Sequence, residues 1–243
     1  CTPSELKDIL CDEGVCVEEI EGLDYAFVIS GFDYLNSLES FRNGLFYVQD
    51  VSSMMVAEYA KPEHGDHVID VCAAPGGKST HIAELLNGSG FVEARDLTDY
   101  KVSLIEENIK RHGLSNMGAV CMDATVFDEA SVEKADILIC DLPCSGLGVL
   151  GRKKDIRYKM TEQSLDGLAE LQKEILDTVH TYVRKGKKLI YSTCTMNPAE
   201  NEENVRWFIN RYPEFELETS KQMFPKEIGN DGFFIAVLKR NGR

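Results

Sequence analysis

The sequence predicts an α/β fold in which a parallel β-sheet carries helices on both faces. From Asp66 onward, short apolar runs rich in β-branched residues alternate with segments of helical pattern. This alternation is typical of parallel strands joined by crossover helices. With 243 residues, the chain is long enough for one such domain and a small appendage.

The segment before Asp66 predicts that appendage, a small α/β subdomain over residues 1–45. Its helix begins at a Thr-Pro-Ser-Glu capping pattern, and its two strands flank a Glu-Gly turn. A further helix leads into the sheet and is ended by Pro62. The predicted elements are, in order, a helix over Thr2–Leu10, strands over Val15–Ile20 and Tyr25–Ile29, a hairpin over Phe41–Val48 and a helix over Gln49–Ala60.

The α/β segment itself predicts five strands and a terminal pair. The strands are short and apolar, as expected where helices cover both faces of a sheet. They are Asp66–Ile69, Gly90–Ala94, Ala119–Met122, Asp136–Cys140 and Lys188–Tyr191, with the pair Phe215–Glu218 and Gly232–Leu238. The predicted helices are Thr80–Leu86, Asp99–Ile109, Ser164–Val183 and Asn201–Arg211.

The composition disfavours several functional classes. A formal net charge of −15 at pH 7 opposes unspecific binding to polyanions. The basic cluster Arg152–Lys159 leaves nucleic-acid contact and a solvated surface equally open, whereas Arg184–Lys188 is better explained as charge complementing a helix end. No apolar run approaches the ~18–20 residues that span a bilayer, and no secretory signal is present.

The eight cysteines lack paired zinc-binding spacing. We therefore expect reduced, mostly structural thiols, no metal site and a cytoplasmic location. The first residue is Cys1 rather than Met, which indicates a piece of a longer polypeptide. We expect the protein to be monomeric.

The turn Asp70–Thr80 follows the first strand of the sheet and predicts a small-molecule site. Its small residues and two glycines let the backbone approach a ligand, and the helix that follows would direct free N–H groups at a negative group. Gly77-Lys78-Ser79 matches the tail of a Walker phosphate loop, but Cys72 stands where that pattern requires glycine. From the turn alone, a nucleotide phosphate and another ligand both stay open.

Acidic residues at the ends of later strands help to distinguish these ligands. Ligands of open α/β sheets bind beyond the carboxyl ends of the strands, where Asp96, Asp123 and Asp141 are expected. Asp96 is placed to accept two ribose hydroxyls, while Asp123 could accept from an exocyclic amine or support a loop. Because a triphosphate among carboxylates needs a metal, the acidic cleft favours the sulfonium cofactor S-adenosylmethionine over ATP.

Two cysteines are expected at the same edge of the sheet, Cys144 and Cys194. A cysteine near a strand is by default a small apolar core residue, but a thiolate is also a strong nucleophile that can leave again. Addition of sulfur to carbon 6 of a cytosine would make carbon 5 nucleophilic enough to accept a methyl group. Asp141 could then stabilise the ring at nitrogen 3. The residues alone do not choose between the two thiols.

Several segments together resemble the Sun/RsmB-like RNA (cytosine-5) methyltransferases, over nearly the whole chain. The basic cluster that begins at Arg152 resembles the corresponding segment of the bacterial branch, which methylates 16S ribosomal RNA. The matching segments are Val48–Ser53, Asp70–Lys78, Asp141–Gly146, Arg152–Tyr158, Ser192–Thr195, Asn197–Glu202 and Asp231–Phe234. A nucleotide-hydrolysing P-loop protein and a cofactor-binding scaffold without turnover are the competing interpretations, which Cys72 and the cysteine pair disfavour.

The resemblance implies a Rossmann-like S-adenosylmethionine-dependent methyltransferase fold. Its sheet would have seven mostly parallel strands with the last antiparallel. The catalytic domain would occupy residues 46–243, after an RRM-like remnant over residues 1–45. The implied reaction methylates carbon 5 of a cytidine in ribosomal RNA through a covalent cysteine–cytosine intermediate. No membrane or metal would take part. The bacterial branch carries an N-terminal domain similar to the antitermination factor NusB, which this sequence lacks.

The resemblance also implies a role for each site residue. Cys194 would be the nucleophile, Cys144 would assist release of the methylated RNA, and Asp141 would lie between cofactor and target base, with Lys78 also catalytic. Asp96 would bind the ribose and Asp123 the adenine side. The residues that cradle the methionine and ribose would be Cys72, Ala73, Ala74, Pro75, Gly76, Gly77 and Lys78. Leu142 stands where the family more often has alanine.

Overall fold

The structure is a computed structural model that describes residues 1–225 and 230–242, with the side chain of residue 159 left out. The chain forms two compact units. One comprises Cys1–Val48 with Ile109–Gly113, and the other Gln49–Asn108 with Leu114–Arg243. The functional division after residue 45 that the sequence suggests stays a prediction.

The first unit contains the predicted helix and strand pair. Thr2 and Glu5 cap the first helix reciprocally, because the Thr2 hydroxyl accepts the Glu5 N–H and the Glu5 carboxylate accepts the Thr2 N–H. The two strands pair antiparallel. The unit's apolar core consists of Leu6, Leu10, Val15, Leu38 and Phe41. Its elements are α1 (Pro3–Asp12), β1 (Cys16–Ile20), β2 (Leu23–Ser30) and α2 (Glu39–Arg42).

The predicted hairpin over Phe41–Val48 is wrong. Phe41 belongs to helix α2, and the chain then turns at Gly44, whose N–H donates to the Phe41 carbonyl at 3.1 Å. Leu45 and Phe46 pack against the apolar core instead of pairing as a strand. The apolar residues of this segment are therefore buried by packing after a turn and not by pairing as strands. A periodic apolar pattern indicates which residues are buried, but it does not identify their hydrogen-bond partners.

The second unit contains the predicted seven-stranded sheet. The strands are β3 (His67–Asp70), β4 (Phe91–Asp96), β5 (Met117–Cys121), β6 (Ala135–Asp141), β7 (Val183–Thr193), β8 (Phe215–Met223) and β9 (Phe233–Arg240). The strand order is β5-β4-β3-β6-β7-β9-β8. The last strand runs antiparallel to both of its neighbours, while the pairs from β5 to β7 are parallel. This confirms the mostly parallel, Rossmann-like fold.

Helices flank this sheet and follow the predicted order, with one boundary displaced. The helix expected to reach Val183 ends at Val179, and a short 3₁₀ turn then leads directly into β7. Tyr182 in this turn is buried, and its hydroxyl accepts the Asp128 N–H at 2.7 Å. The helices are α3 (Val51–Ala60), α4 (Gly77–Leu85), α5 (Asp99–His112), α6 (Ile156–Lys159), α7 (Glu162–Val179) and α8 (Glu202–Arg211).

The central strand β6 is buried almost throughout, which explains its continuous apolar run. Its register places Asp141 beside Ser192 of β7, and that of β3 places Asp70 beside Ala94 of β4. The carboxyl ends of β3, β4, β6 and β7 therefore share one edge, called the carboxyl edge below. No helix within the described part of the chain has the length and apolar composition needed to cross a bilayer.

Candidate active site

The turn after β3 is held in shape by the buried carboxyl group of Asp70. One of its oxygens accepts the Cys72 N–H at 3.3 Å, and the other accepts the Ser79 hydroxyl at 2.6 Å. Burial raises the pKa of Asp70 to about 7, against the opposing hydrogen bond from Ser79. Burial likewise raises the pKa of the Cys72 thiol, so Cys72 is a neutral lining residue.

The glycines of this turn leave room for a ligand. Gly76 has φ +107°, a conformation that residues with a Cβ rarely adopt, and it precedes α4 without a side-chain cap. A Cβ at Gly77 would meet no described atom within 4 Å. The first-turn N–H groups of α4 therefore adjoin open space, which fits the anionic carboxylate of an amino-acid moiety.

The predicted ribose-binding residue Asp96 lies at the end of β4, directly beside the turn. Its carboxylate accepts the Ala74 N–H at 2.9 Å and the Leu97 N–H at 2.8 Å, and it pairs with Lys101 at 2.9 Å. Asp96 thus fastens the middle of the turn to the neighbouring strand. Three acceptor positions are used by the protein, and a carboxylate offers about four.

Asp123 follows β5 and is more exposed. Its Oδ1 accepts the N–H of Thr125 at 2.9 Å and its hydroxyl at 2.7 Å, and these bonds lower the pKa of the carboxyl group. The Met122 N–H donates to the Asp96 carbonyl at 2.9 Å, which keeps the two strand ends together. The structure thus shows Asp123 supporting a loop, one of the two roles that its position suggested.

Asp141, at the end of β6, joins the turn to the cysteine loops. It accepts Lys78 Nζ at 2.6 Å and the Ser192 hydroxyl at 2.7 Å. Burial opposes the positive charge of Lys78, but the Asp141 carboxylate outweighs it and raises the pKa of the lysine. The predicted catalytic residues Lys78 and Asp141 are therefore a direct ion pair.

The two cysteines meet at this place. The Sγ atoms of Cys144 and Cys194 lie 3.2 Å apart, and both thiols are free and partly buried. The hydrogen bond from Cys144 lowers the pKa of Cys194 although burial and Asp141 oppose this, with Lys78 also favouring the thiolate. The same contact raises the pKa of Cys144. The pair thus favours a thiolate on Cys194 and a proton on Cys144.

Backbone contacts that the sequence did not predict hold the Cys194 loop. The Gly148 N–H donates to the Cys194 carbonyl at 3.0 Å, and the Gly232 N–H donates to the Gly148 carbonyl at 2.9 Å. A Cβ at Gly148 would lie 1.9 Å from the Gly232 oxygen. Glu200 is also buried behind this loop. The only signal for these residues was that Gly232 and Glu200 lie in two of the matching segments, whereas Gly148 lies in none of them.

The basic cluster after Cys144 divides into a structural and an exposed part. Arg152 pairs with Asp50 at 3.1 Å and also contacts the carboxylate of Asp231. The exposed part consists of Lys153, Lys154, Arg157 and Tyr158, the last with 85% of its surface exposed. Among residues 1–225 and 230–242, no cluster of three or more His, Cys, Asp or Glu side chains could hold a metal ion.

The second basic cluster corrects an interpretation. Arg184 and Lys187 belong to β7 and do not complement a helix end. Arg184 pairs with Asp136 at 3.0 Å, and Lys187 pairs with Asp66 at 3.2 Å. These ion pairs stabilise the starts of strands, at the end of the sheet opposite the cysteines. The helix ends at Val179, so the charges that follow are already part of the strand.

Comparison with known proteins gives consistent results. Residues 57–239 match the family described as 16S rRNA methyltransferase RsmB/F. A probable ribosomal RNA small subunit methyltransferase B from Bacillus subtilis (strain 168) is 38% identical over 258 residues, covering 98% of this chain and 57% of that protein. A tRNA (cytosine(72)-C(5))-methyltransferase from Pyrococcus horikoshii is 35% identical over 218 residues, covering 85% of this chain and 55% of that protein.

A solved structure shows the same fold. NSun6 from Pyrococcus horikoshii, solved with SFG, is 34% identical with a TM-score of 0.79 and covers 87% of this chain and 57% of that chain. The chain spans about half the length of the curated relatives that it matches. Since the family match covers more than half of the residues and includes the turn, the acids and both cysteines described above, the chain belongs to the 16S rRNA methyltransferase RsmB/F family.

Proposed function

We propose that the protein transfers a methyl group from S-adenosylmethionine to carbon 5 of a cytidine in RNA, with 16S ribosomal RNA as substrate. The observation that carries this proposal is the contact between Cys144 and Cys194 at 3.2 Å, beside the Lys78–Asp141 ion pair. A ribosomal substrate would place the reaction in the cytoplasm, with the protein acting as a monomer.

The cofactor would bind along the turn after β3 and the acids beyond it. When bound, S-adenosylmethionine supplies an electrophilic methyl group. The first-turn N–H groups of α4 would receive its carboxylate, and Asp96 its ribose hydroxyls. Asp123, whose Oδ1 accepts both bonds from Thr125, would receive the adenine amine on its other carboxylate oxygen. The acidic surroundings suit a sulfonium cation and require no metal.

The chain's own residues would activate the base. The Cys194 thiolate adds to carbon 6 of the cytosine, so a sulfur–carbon bond forms and electron density moves toward ring nitrogen 3 and carbon 5. The Lys78–Asp141 pair holds a proton where charge develops at nitrogen 3. Carbon 5 is then nucleophilic enough to take the methyl group.

The same residues would end the reaction. A general base takes the proton from carbon 5, and the electrons of that bond form the double bond between carbon 5 and carbon 6. The sulfur–carbon bond breaks at the same time, and its electron pair leaves on Cys194 as a thiolate. The Cys144 thiol lies within hydrogen-bond distance of that sulfur and stabilises it as it leaves. This arrangement supports Cys194 as the nucleophile and Cys144 as the residue that assists product release.

RNA binding is supported by the exposed basic residues near the cysteines. Lys153 is close enough to favour the Cys194 thiolate electrostatically, so a phosphate bound there would lie beside the reacting base. Exposed Tyr158 offers a ring on which a base can stack. One relative is named for ribosomal RNA and another for transfer RNA. Both kinds of RNA are therefore compared directly as substrates.

The decisive experiment incubates the protein with methyl-labelled S-adenosylmethionine and either 16S ribosomal RNA or transfer RNA. Nucleoside mass spectrometry is expected to detect 5-methylcytidine in the ribosomal RNA. Labelling only in transfer RNA would overturn the substrate, and a methyl group on an exocyclic nitrogen would overturn the reaction.

A further inference from the structure

Glu200 is a carboxylate with no exposed surface, located in the 3₁₀ turn that follows Cys194. Glutamate is almost never fully buried unless it is compensated. Here each carboxylate oxygen accepts two hydrogen bonds from uncharged groups. The four donors are the Ser145 N–H at 2.9 Å, the Ser145 hydroxyl at 2.6 Å, the Gln172 amide at 3.1 Å and the Asn197 amide at 2.9 Å.

The donors come from both cysteine loops. Ser145 is the residue after Cys144, and its hydroxyl lies 2.7 Å from the hydroxyl of Thr195, the residue after Cys194. Glu200 therefore holds the chain on one side of the thiol pair and, through one hydroxyl, the chain on the other side. Ser145 and Thr195 are buried, so water does not compete for these bonds.

Helix α7 supports the same arrangement from behind. The Gln172 amide donates to Glu200 and also to the Pro143 carbonyl at 2.9 Å, directly before Cys144. The Tyr191 hydroxyl donates to Gln172 at 3.0 Å and contacts the Glu200 carbonyl oxygen. Each backbone neighbour of Cys144 is thus bonded to Glu200 or to a partner of Glu200.

We propose that Glu200 is a positioning residue for the reaction proposed above: it holds the loops of Cys144 and Cys194 together so that their sulfur atoms stay in hydrogen-bond contact. This inference rests on the proposed function only in so far as the contact between the sulfur atoms serves methyl transfer. The geometry itself requires an acceptor with two oxygens and a negative charge, because four donors point at the group. Glutamine would turn its NH₂ group toward two of those donors.

The test measures the sulfur contact and does not depend on methyl transfer. The groups that influence the pKa of Cys194 include Cys144, Asp141, Lys78 and Lys153. The substitution Glu200→Gln leaves all of these groups unchanged. The rate at which iodoacetamide alkylates Cys194 is followed against pH by peptide mass spectrometry. Loss of the hydrogen bond from Cys144 is expected to move this profile to higher pH. Alkylation below the pKa slows about tenfold if the pKa rises by one.

A matched control separates positioning from loss of a buried carboxylate. Asp136→Asn also removes a buried, hydrogen-bonded carboxylate, but at the other end of β6. It is expected to lower the melting temperature without moving the Cys194 profile. Glu200→Gln is expected to move the profile while calorimetry shows unchanged binding of S-adenosylmethionine. An unmoved profile in folded Glu200→Gln would overturn the proposal.

A second variant decides the matter if Glu200→Gln does not fold. Ser145→Ala removes the hydroxyl between Glu200 and Thr195 and leaves the Ser145 N–H bond in place. It is expected to move the profile in the same direction, and an unmoved profile overturns the proposal. If the wild-type protein methylated no RNA, the proposed function would fail while the alkylation result would still stand.

Discussion

The Sγ atoms of Cys144 and Cys194 lie 3.2 Å apart although fifty positions separate the residues in the chain. They are brought together because β6 and β7 are parallel neighbours, so that the loops after both strands leave the sheet at the carboxyl edge. The contact makes the two thiols unequal, because it lowers the pKa of Cys194 and raises the pKa of Cys144.

Cys194→Ala is expected to abolish methyl transfer and to leave cofactor binding intact. The substitution removes the only sulfur of the pair whose pKa is lowered, while the turn after β3 is untouched. Transfer of labelled methyl groups to RNA and calorimetric titration with S-adenosylmethionine check the two parts. Turnover that survived this change would contradict nucleophilic catalysis by Cys194.

Cys144→Ala is expected to trap the protein on its RNA. Cys194 can still attack, but its leaving thiolate loses the neighbouring hydrogen-bond donor, so the covalent adduct accumulates. A band of reduced mobility on a denaturing gel, sensitive to ribonuclease, would report it. Equal amounts of adduct in Cys144→Ala and Cys194→Ala would show that the roles are assigned wrongly.

Mild oxidation is expected to join the two thiols reversibly. Hydrogen peroxide converts the Cys194 thiolate to a sulfenic acid as the peroxide is reduced, and the Cys144 thiol then displaces water to form a disulfide. The protein should lose the mass of two hydrogen atoms together with its activity, and dithiothreitol should restore both. Cys144→Ala is the control, since it lacks the resolving thiol. A disulfide elsewhere would contradict the expectation.

Gly148→Ala is expected to disturb the Cys194 loop. Its Cβ would lie 1.9 Å from the Gly232 oxygen and 2.8 Å from the Cys194 oxygen, which are backbone atoms that cannot move separately. We expect a destabilisation of about 1–3 kcal/mol and a loss of methyl transfer. Gly151→Ala is the control, because a Cβ there meets nothing within 4 Å. Thermal melts and activity assays on both variants distinguish them.

The buried carboxyl group of Asp70 is expected to make stability depend on pH. Burial raises its pKa from 3.8 to about 7, so the folded protein holds this proton more tightly than the unfolded chain. The free energy of unfolding contributed by Asp70 is therefore full below pH 3.8 and is lost as the pH rises toward 7.

Asp70→Asn tests this dependence by removing the titrating group. Between about pH 5 and pH 8, the melting temperature of this variant should change less than that of the wild type, as measured by scanning calorimetry. Asp177→Asn serves as the control, because the pKa of Asp177 is lowered from 3.8 and the group therefore does not titrate in this range, so its removal should leave the pH dependence unchanged. An Asp70→Asn curve parallel to the wild type would contradict the buried titration.

Much of the site was predictable because its signals are local. The glycine turn after β3 and the acids at strand ends follow from parallel topology, which places every carboxyl end at one edge. Asp96 and Asp141 lie where this rule predicts, and Asp141 additionally pairs with Lys78. The hairpin over Phe41–Val48 failed because alternation marks which residues are buried without naming what they pack against.

The sequence by itself determined the fold class, the order of the strands' polar ends and the resemblance to a family, since these depend on residue type and spacing along the chain. Only the tertiary structure decided which of the two thiols has the lowered pKa, and that Glu200 lies behind both cysteine loops. Those properties arise from distances between atoms far apart in the chain, because hydrogen bonding and burial change a group's pKa only where the fold brings its partners into contact.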